Sequence, residues 1–194
     1  MNTTLDRRVQ TIVGSPLGDV RLVASPEGLA GLWFVERQRH APTADRLAAW
    51  PTVSSHPVFD AAVQQLDEYF QGQRQGFDLP LDFKQGTAFQ QTVWHALMKI
   101  SARATTSYGA LAAGLGKPRA MRAVGTAVGR NPLSIVVPCH RVIGGNGSLT
   151  GYAGGLDRKQ ALLRLEGALI DKVHQSQERT SSTEWRVTPP LTAH

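Results

Sequence analysis

The chain has 194 residues, 41% of them hydrophobic, which suits one large or two small globular domains. No apolar run approaches the roughly 20 residues of a membrane-spanning helix, and the residues from Met1 to Arg8 lack the apolar core of an export signal. A single cysteine excludes an internal disulfide and a cysteine-based zinc site. We therefore expect a cytoplasmic protein with no membrane partner and no metal.

The net charge of +6 is unevenly distributed along the chain. Residues 1–83 carry seven basic and ten acidic side chains, whereas residues 84–166 carry eleven basic and two acidic ones. This asymmetry indicates a polyanionic partner for one part of the molecule. Many basic surfaces are only solvated, so nucleic acid is one candidate partner among others at this point.

The first third of the chain predicts an antiparallel β-meander. Runs at Val9–Val13, Asp19–Ala24 and Leu29–Val35 have strand character and are separated by turns that contain Pro and Gly. Residues 36–55 lack periodicity and are predicted to be loop. The next segment has helical spacing, with an apolar face made of Phe59, Ala62, Val63, Leu66 and Phe70.

A second domain is predicted to begin at Thr87, which can cap a helix while Gln90 reaches back in a capping box. The polar composition of residues 175–183 indicates disorder. The chain is accordingly divided into four parts: an N-terminal domain at 1–80, a linker at 81–86, a second domain at 87–168 and a flexible tail at 169–194.

Two short helices in the second domain are compatible with a helix-turn-helix. Ser107 can cap the first helix, Gly116 can end it, and Pro118 can open a second helix that runs to Arg130. An ordinary helical hairpin is the more frequent arrangement and remains an alternative.

The outer face of the second helix carries unusually small side chains. These are Ala123, Gly125, Thr126 and Gly129, with Arg119 and Arg122 as the only large groups. A helix this thin can approach the minor groove of DNA, about 6 Å wide, and bind with little sequence preference. Alternatively, the small residues allow two helices to pack closely inside the protein.

The only cysteine follows an apolar run, Leu133–Val137, which is predicted to be a buried strand. A lone cysteine is more often an inert buried residue than a nucleophile. Here it follows the rigid Pro138 and precedes His140 and Arg141, and cationic neighbours favour the reactive thiolate. His140 is the nearest candidate base.

Two glycine-rich segments at 144–148 and 151–155 follow, and then a last helix that carries Glu166 near its end. A carboxylate at a helix C-terminus is unfavourable, so Glu166 is expected to have a partner. If that partner is His140, the two form a relay with Cys139. A solvated Glu166 is the alternative.

The residues from Pro138 to Gly144 resemble the acceptor-cysteine motif of the O6-alkylguanine-DNA alkyltransferases. The resemblance covers residues 86–167. It extends to the segments Thr106–Tyr108, Ala120–Pro132, Gly151–Gly155 and Leu162–Gly167. It implies an α+β fold, with an N-terminal antiparallel sheet domain of the ribonuclease-H type. The C-terminal domain is then helical and winged-helix-like, with a helix-turn-helix.

The resemblance also implies roles for individual residues. Cys139 accepts the alkyl group, His140 deprotonates it through a water molecule, and Glu166 orients His140. Asn131 braces the turn that presents the cysteine, and Tyr108 donates a hydrogen bond or proton to the guanine. The substrate pocket is implied to contain Pro138, Val142, Tyr152, Ala153 and Gly154.

On DNA, the resemblance implies that Arg122 fills the space left by a flipped nucleotide. The remaining DNA contacts are implied to come from Ser107, Arg119, Ala123, Gly125, Thr126 and Gly129. The expected partner of this monomer is double-stranded DNA containing alkylated guanine, and no cofactor is expected. The range of alkyl groups, activity on O4-alkylthymine and cooperativity on DNA stay open.

Two other functions are compatible with the same residues. A cysteine hydrolase built on Cys139, His140 and Glu166 would turn over many times. A non-catalytic protein that binds alkylated DNA would use Cys139 only for packing.

Overall fold

The computed structural model describes residues 7–169, and the predicted tail at 169–194 lies almost wholly outside them. The N-terminal half contains a three-stranded antiparallel sheet in the order β1-β2-β3. Its strands are β1 (Val9–Val13), β2 (Val20–Ser25) and β3 (Gly28–Phe34). The predicted meander is confirmed, with strand ends shifted by one residue in β2 and β3.

The turn between β2 and β3 requires a glycine. Gly28 has φ +146°, and a Cβ there would lie 2.2 Å from the carbonyl oxygen of Pro80. The segment that contains Pro80 runs beside β3, because the amide of Leu29 donates to the Pro80 oxygen (2.7 Å) and the amide of Asp82 donates to the Leu29 oxygen (2.9 Å). The predicted linker is therefore hydrogen-bonded to the sheet.

Helices cover the sheet and form the second domain. The two N-terminal helices are α1 (Ala44–Ala48) and α2 (Pro57–Phe70). Helix α1 lies in a region that the sequence predicted to be loop. It has only five residues and buries none of them, so it left no periodic pattern to detect. Helix α2 buries Phe59, Ala62 and Leu66 as predicted, and also Tyr69.

The second domain begins with α3 (Ala88–Leu97), whose predicted capping box between Thr87 and Gln90 is present. After the short strand β4 (Thr106–Ser107) come α4 (Tyr108–Gly114) and α5 (Met121–Gly129). The indole of Trp94 in α3 donates to the carbonyl of Ala127 in α5 at 2.9 Å. This buried contact fixes α5 against the domain core.

The turn between α4 and α5 is compact. Gly116 adopts φ +70°, and its amide donates to Ala113, while the amide of Lys117 donates to Ala112 (both 2.9 Å). These two bonds satisfy the last carbonyls of α4, as expected for a glycine that ends a helix. The second helix starts differently from the prediction, since Pro118–Ala120 forms a 3-10 turn before α5.

The predicted strand at Leu133–Val137 is wrong. These five residues are buried, but they form successive turns, and only Leu133 pairs with a strand residue, Leu32 of β3. The amide of Leu32 donates to Pro132 (2.9 Å), and the amide of Ser134 donates to Leu32 (3.0 Å). A continuous apolar run shows burial and does not distinguish a strand from a buried series of turns.

The remaining elements complete the second domain. A 3-10 turn at Cys139–Arg141 leads into β5 (Val142–Ile143), which pairs in parallel with β4, and α6 (Leu156–Leu165) closes the described chain. The observed architecture is thus α+β, as predicted. In the described part of the chain, no helix combines the length and the apolar character needed to cross a membrane.

Candidate functional site

Asn131 organises the turns that precede the cysteine. Its amide nitrogen, Nδ2, lies 2.8 Å from the Val137 oxygen, 3.2 Å from the Leu133 oxygen and 3.1 Å from Sγ of Cys139. Its oxygen accepts from the amide of Leu133 at 3.0 Å. One buried side chain therefore holds both ends of the turn and contacts the sulfur.

His140 and Glu166 are brought together as a buried pair. Nε2 of His140 lies 2.9 Å from Oε1 of Glu166, and the histidine side chain is fully buried. With a carboxylate at Nε2, the proton of the neutral ring belongs on that nitrogen. Nδ1 is buried and has no hydrogen-bond partner among the residues that the structure describes. Its lone pair is therefore available to accept a proton.

Arg141 does not extend toward the thiol, where the sequence had placed it as a cationic neighbour. Its Nε donates to Oε2 of Glu166 (2.9 Å) and its Nη2 to Oε1 (2.8 Å). Burial raises the pKa of Glu166, but the bonds from His140 and Arg141 outweigh it and bring that pKa to about 2. Glu166 is therefore ionised at neutral pH.

Burial disfavours the charged form of both the thiol and the imidazole. Burial raises the pKa of Cys139, and the hydrogen bond from Asn131 and the positive charge of Lys159 offset this only in part. Burial likewise lowers the pKa of His140, against the opposing effect of Glu166. Burial of Cys139 therefore opposes the thiolate that its cationic neighbours were expected to favour.

Lys159 is a functional candidate that the sequence reasoning missed. It is fully buried on α6, and its Nζ donates to the carbonyl oxygens of Val142 (2.5 Å) and Thr150 (2.6 Å). Burial lowers its pKa to about 8, although Cys139 raises it. A signal existed, because Lys159 lies on the same helical face as Leu162, Leu163 and Glu166.

A cavity of about 370 Å³ opens beside these residues. It is lined by Arg39, His40, Tyr108, Met121, Arg122, Gly125, Gly129, Thr150, Gly151, Tyr152 and Ala153. Cys139 is not itself part of this lining. Burial is the main cause that raises the pKa of the hydroxyls of Tyr108 and Tyr152. The second cause is the nearby Cys139. Within residues 7–169, no group of three His, Cys, Asp or Glu side chains could hold a metal ion.

Tyr108 stands at the rim of this cavity. Its hydroxyl donates to the backbone carbonyls of Gly151 (3.0 Å) and Thr150 (3.3 Å). Of the five predicted pocket residues, Tyr152 and Ala153 line the cavity. Pro138, Val142 and Gly154 are buried and do not line it.

The N-terminal domain supplies one wall of the cavity, which the sequence did not predict. The amide of Arg39 donates to the carbonyl of Ala153 at 2.8 Å. Arg158 links the loop that contains Arg39 to the segment before α6. Its Nη1 donates to the carbonyls of Glu36 (2.8 Å) and Gly154 (3.0 Å). The loop at residues 36–40 lacks any periodic pattern. Its position beside the cavity could therefore not be predicted from the sequence.

The predicted DNA-binding residues lie on or near the outer face of α5. Arg122, Gly125 and Gly129 line the cavity. Arg119, Ala123 and Thr126 are exposed. Ser107 caps α4, with its hydroxyl accepting from the amide of Ala110 at 3.0 Å.

Both halves of the chain match known protein families. Residues 9–83 match the family described as 6-O-methylguanine DNA methyltransferase, ribonuclease-like domain. Residues 88–168 match the family described as 6-O-methylguanine DNA methyltransferase, DNA binding domain.

Similar proteins cover about four-fifths of the chain. A methylated-DNA–protein-cysteine methyltransferase of Methanosarcina acetivorans is 45% identical over 157 residues, which are 81% of this chain and 97% of that protein. One from Mycobacterium bovis is 46% identical over 154 residues, which are 79% of this chain and 89% of that protein.

Solved structures give the same result. Mycobacterium tuberculosis OGT in complex with DNA aligns with a TM-score of 0.72 at 45% identity, covering 82% of this chain and 92% of that one. The O6-methylguanine-DNA methyltransferase of Pyrococcus kodakaraensis, at 23% identity and a TM-score of 0.57, shares the fold.

Proposed function

The chain belongs to the 6-O-methylguanine DNA methyltransferase family, and from this membership we propose how its own residues carry out the family reaction. Its activity is that of a methylated-DNA–protein-cysteine methyltransferase, which repairs DNA by direct reversal through alkyl transfer to a cysteine. DNA is its partner. The substrate in our proposal is O6-alkylguanine within a DNA duplex, bound by one protein molecule in the cytoplasm.

The proposal for the site is carried by the buried pair of Glu166 and His140, of which His140 directly follows the only cysteine. Nδ1 of His140 is an unpartnered, buried base among the described residues, and Nε2 is held by an ionised carboxylate. In the proposed relay, Nδ1 takes the thiol proton of Cys139 through a water molecule. Glu166 stabilises the imidazolium that forms, as expected for a carboxylate that orients a catalytic histidine.

The transfer is a displacement at carbon. A bond forms between Sγ and the alkyl carbon, the bond between that carbon and O6 breaks, and its electron pair goes to the purine. Tyr108, whose hydroxyl lies at the cavity rim, donates a hydrogen bond or proton to the purine and stabilises this charge. The purine takes a proton from Tyr108 or from water, and the imidazolium of His140 gives its proton back through water, which restores any phenolate. The net result is transfer of the thiol proton to guanine, so the reaction is balanced without a cofactor.

The reacting carbon is buried in stacked DNA, so the nucleotide must first be flipped out, at a cost of a few kcal/mol. Arg122, exposed at the cavity edge, occupies the resulting gap in our proposal, since an arginine is long and stacks well on bases. The cavity volume of about 370 Å³ lies within the range of small-molecule sites, about 300–1,000 Å³. The flipped base occupies this cavity, next to Tyr152 and Ala153.

Each molecule acts once in this mechanism. The product is a thioether, and neither His140 nor Glu166 can hydrolyse a carbon–sulfur bond of that kind. The stoichiometry follows from the bond that is formed, and it separates this mechanism from that of a cysteine hydrolase.

The decisive experiment is incubation of the protein with excess O6-methylguanine duplex, followed by mass analysis of the intact chain and its peptides. We expect a gain of one methyl group on Cys139, saturating at one per chain. Cys139→Ser is the control and should bind DNA without any mass gain.

Two other outcomes would point elsewhere. Repair of many lesions per chain would indicate a hydrolase. An unmodified protein with the lesion intact would leave a non-catalytic protein that binds alkylated DNA.

A further inference from the structure

Tyr69 connects the N-terminal domain to the proposed relay. It lies in the last turn of α2, is 1% exposed, and its hydroxyl donates to Oε1 of Glu166 at 2.8 Å. Its ring packs against those of Phe70 and Phe77, at centroid distances of 5.5 and 5.3 Å. The mechanism above makes no use of this hydrogen bond.

The oxygen that Tyr69 contacts is the one that His140 uses. Oε1 of Glu166 receives three donors, which are the Tyr69 hydroxyl (2.8 Å), Nε2 of His140 (2.9 Å) and Nη2 of Arg141 (2.8 Å). Oε2 receives Nε of Arg141 (2.9 Å). The number of donors on Oε1 determines how strongly this oxygen attracts the imidazole proton, because each donor disperses part of the negative charge.

We propose that Tyr69 is a positioning residue for alkyl transfer, whose hydroxyl holds Oε1 of Glu166 against His140 and limits the attraction of this oxygen for the imidazole proton. The inference rests on the proposed relay of Cys139, His140 and Glu166. A tyrosine is suited to this task, because it adds a hydrogen bond without adding a charge to the buried site.

Several charged or titratable groups face this relay. Besides Glu166, they are Arg141 from the same 3-10 turn, Lys159 from α6, Cys139 itself and the hydroxyl of Tyr152. Burial, Arg141 and Lys159 lower the pKa of His140, whereas Glu166 raises it. Removal of the Tyr69 hydroxyl leaves these groups in place and concentrates more negative charge on Oε1. The pKa of His140 should then rise.

This change has a defined sign in the pH dependence of transfer. His140 accepts the thiol proton only while it is neutral, so the rate increases with pH through the histidine pKa. A higher pKa moves this acid limb to higher pH. In Tyr69→Phe, we expect the acid limb to move up by about half a pH unit or more, with several-fold slower transfer at pH values below it.

The measurement is the single-turnover transfer rate of the full chain on O6-methylguanine duplex, followed across the acid limb. Phe77→Leu is the matched control, because it loosens the packing around the Tyr69 ring and keeps the hydroxyl. It should reduce thermal stability and leave the acid limb where it is. Glu166→Gln serves as the reference for a broken relay.

The outcomes separate this inference from the mechanism beneath it. Normal transfer by Glu166→Gln would overturn the relay itself. Slow transfer by Glu166→Gln, together with a normal rate and acid limb in Tyr69→Phe, would overturn only the role of Tyr69. Equal slowing of Tyr69→Phe and Phe77→Leu with no shift of the limb would mean that Tyr69 acts through packing alone, which also overturns the inference.

Discussion

Arg122 is exposed at the edge of the cavity, and its side chain has no hydrogen bond or ion pair with the rest of residues 7–169. Its removal should therefore leave the fold intact and act only on the complex with DNA. If Arg122 fills the gap left by the flipped base as proposed, Arg122→Ala should slow repair of duplex DNA by at least tenfold. Reaction with free O6-alkylguanine, which needs no flipping, should change little.

The comparison of these two substrates in single-turnover assays decides the role of Arg122. Lys99→Ala removes an exposed cation that does not line the cavity and should slow neither reaction. If Arg122→Ala slowed both substrates equally, its role would lie in the pocket and not in the duplex.

At this scale, the sequence predicted residues that lie close together along the chain, and the family resemblance added the more distant Glu166 as the partner of His140. Asn131, Cys139 and His140 share one short segment, and the structure brings them together. Tyr69 could not be predicted as a partner of Glu166, because 97 residues separate them and its helix shows only an amphipathic pattern. The direction of the Arg141 side chain could not be predicted either. Its position two residues after Cys139 does not determine where its guanidinium extends.

At the scale of secondary structure, the glycines of α5 leave part of the helix surface that lines the cavity without side chains. Gly129, the last residue of α5, lines the cavity, and a Cβ on it would meet nothing within 4 Å. In Gly129→Ala, we expect stability to stay equal or to rise by up to about 1 kcal/mol, because alanine is the better helix former. If this face of α5 contacts DNA as proposed, the added methyl group should reduce affinity for duplex DNA several-fold.

Gly114→Ala is the matched control for this change. Gly114 also ends a helix, α4, and also has open space where a Cβ would be, but it does not line the cavity. Denaturant unfolding should show a similar effect on stability for both variants, and a DNA titration should show a loss only for Gly129→Ala. Unchanged affinity in both would mean that α5 does not come close to DNA.

The elements with a clear period were predictable, and those without one were not. Strands β1 to β3 have β-rich runs bounded by turns, and helices α2 to α6 have apolar spacing or caps, all visible in the sequence. Helix α1 and the turns at Leu133–Val137 lack such patterns. The turns are instead stabilised by Asn131 and by pairing with Leu32, which are contacts from outside the segment.

For the whole molecule, the relevant property is the concentration of positive charge between residues 84 and 166. Binding to unmodified duplex should be largely electrostatic, so a plot of log K against log salt should have a steep negative slope. About four phosphate contacts would give a slope of about −3.6. A flat plot would contradict a basic DNA-binding surface.

Substitutions that neutralise one lysine at a time show which residues contribute to the salt dependence of DNA binding. Lys117 is exposed in the turn before α5, and Lys117→Gln should reduce the slope by roughly 0.9 if that residue contacts a phosphate. Lys84 is ion-paired with Glu27 of the N-terminal domain, and Lys84→Gln should leave the slope unchanged.

The backbone pairing of Leu32 with Pro132 and Ser134 limits how the two domains can be recombined, in evolution and in engineered chimeras. The segment that leads to Cys139 takes part of its shape from β3, so the two domains are not interchangeable modules. A chimera that combined this C-terminal domain with the N-terminal domain of a distant relative would have to preserve the backbone path of β3 and of the loop at residues 36–40. A single crossover between residues 32 and 132 would separate these partners, whether it fell inside a domain or at the junction, so recombination between diverged homologues should succeed more readily outside this interval.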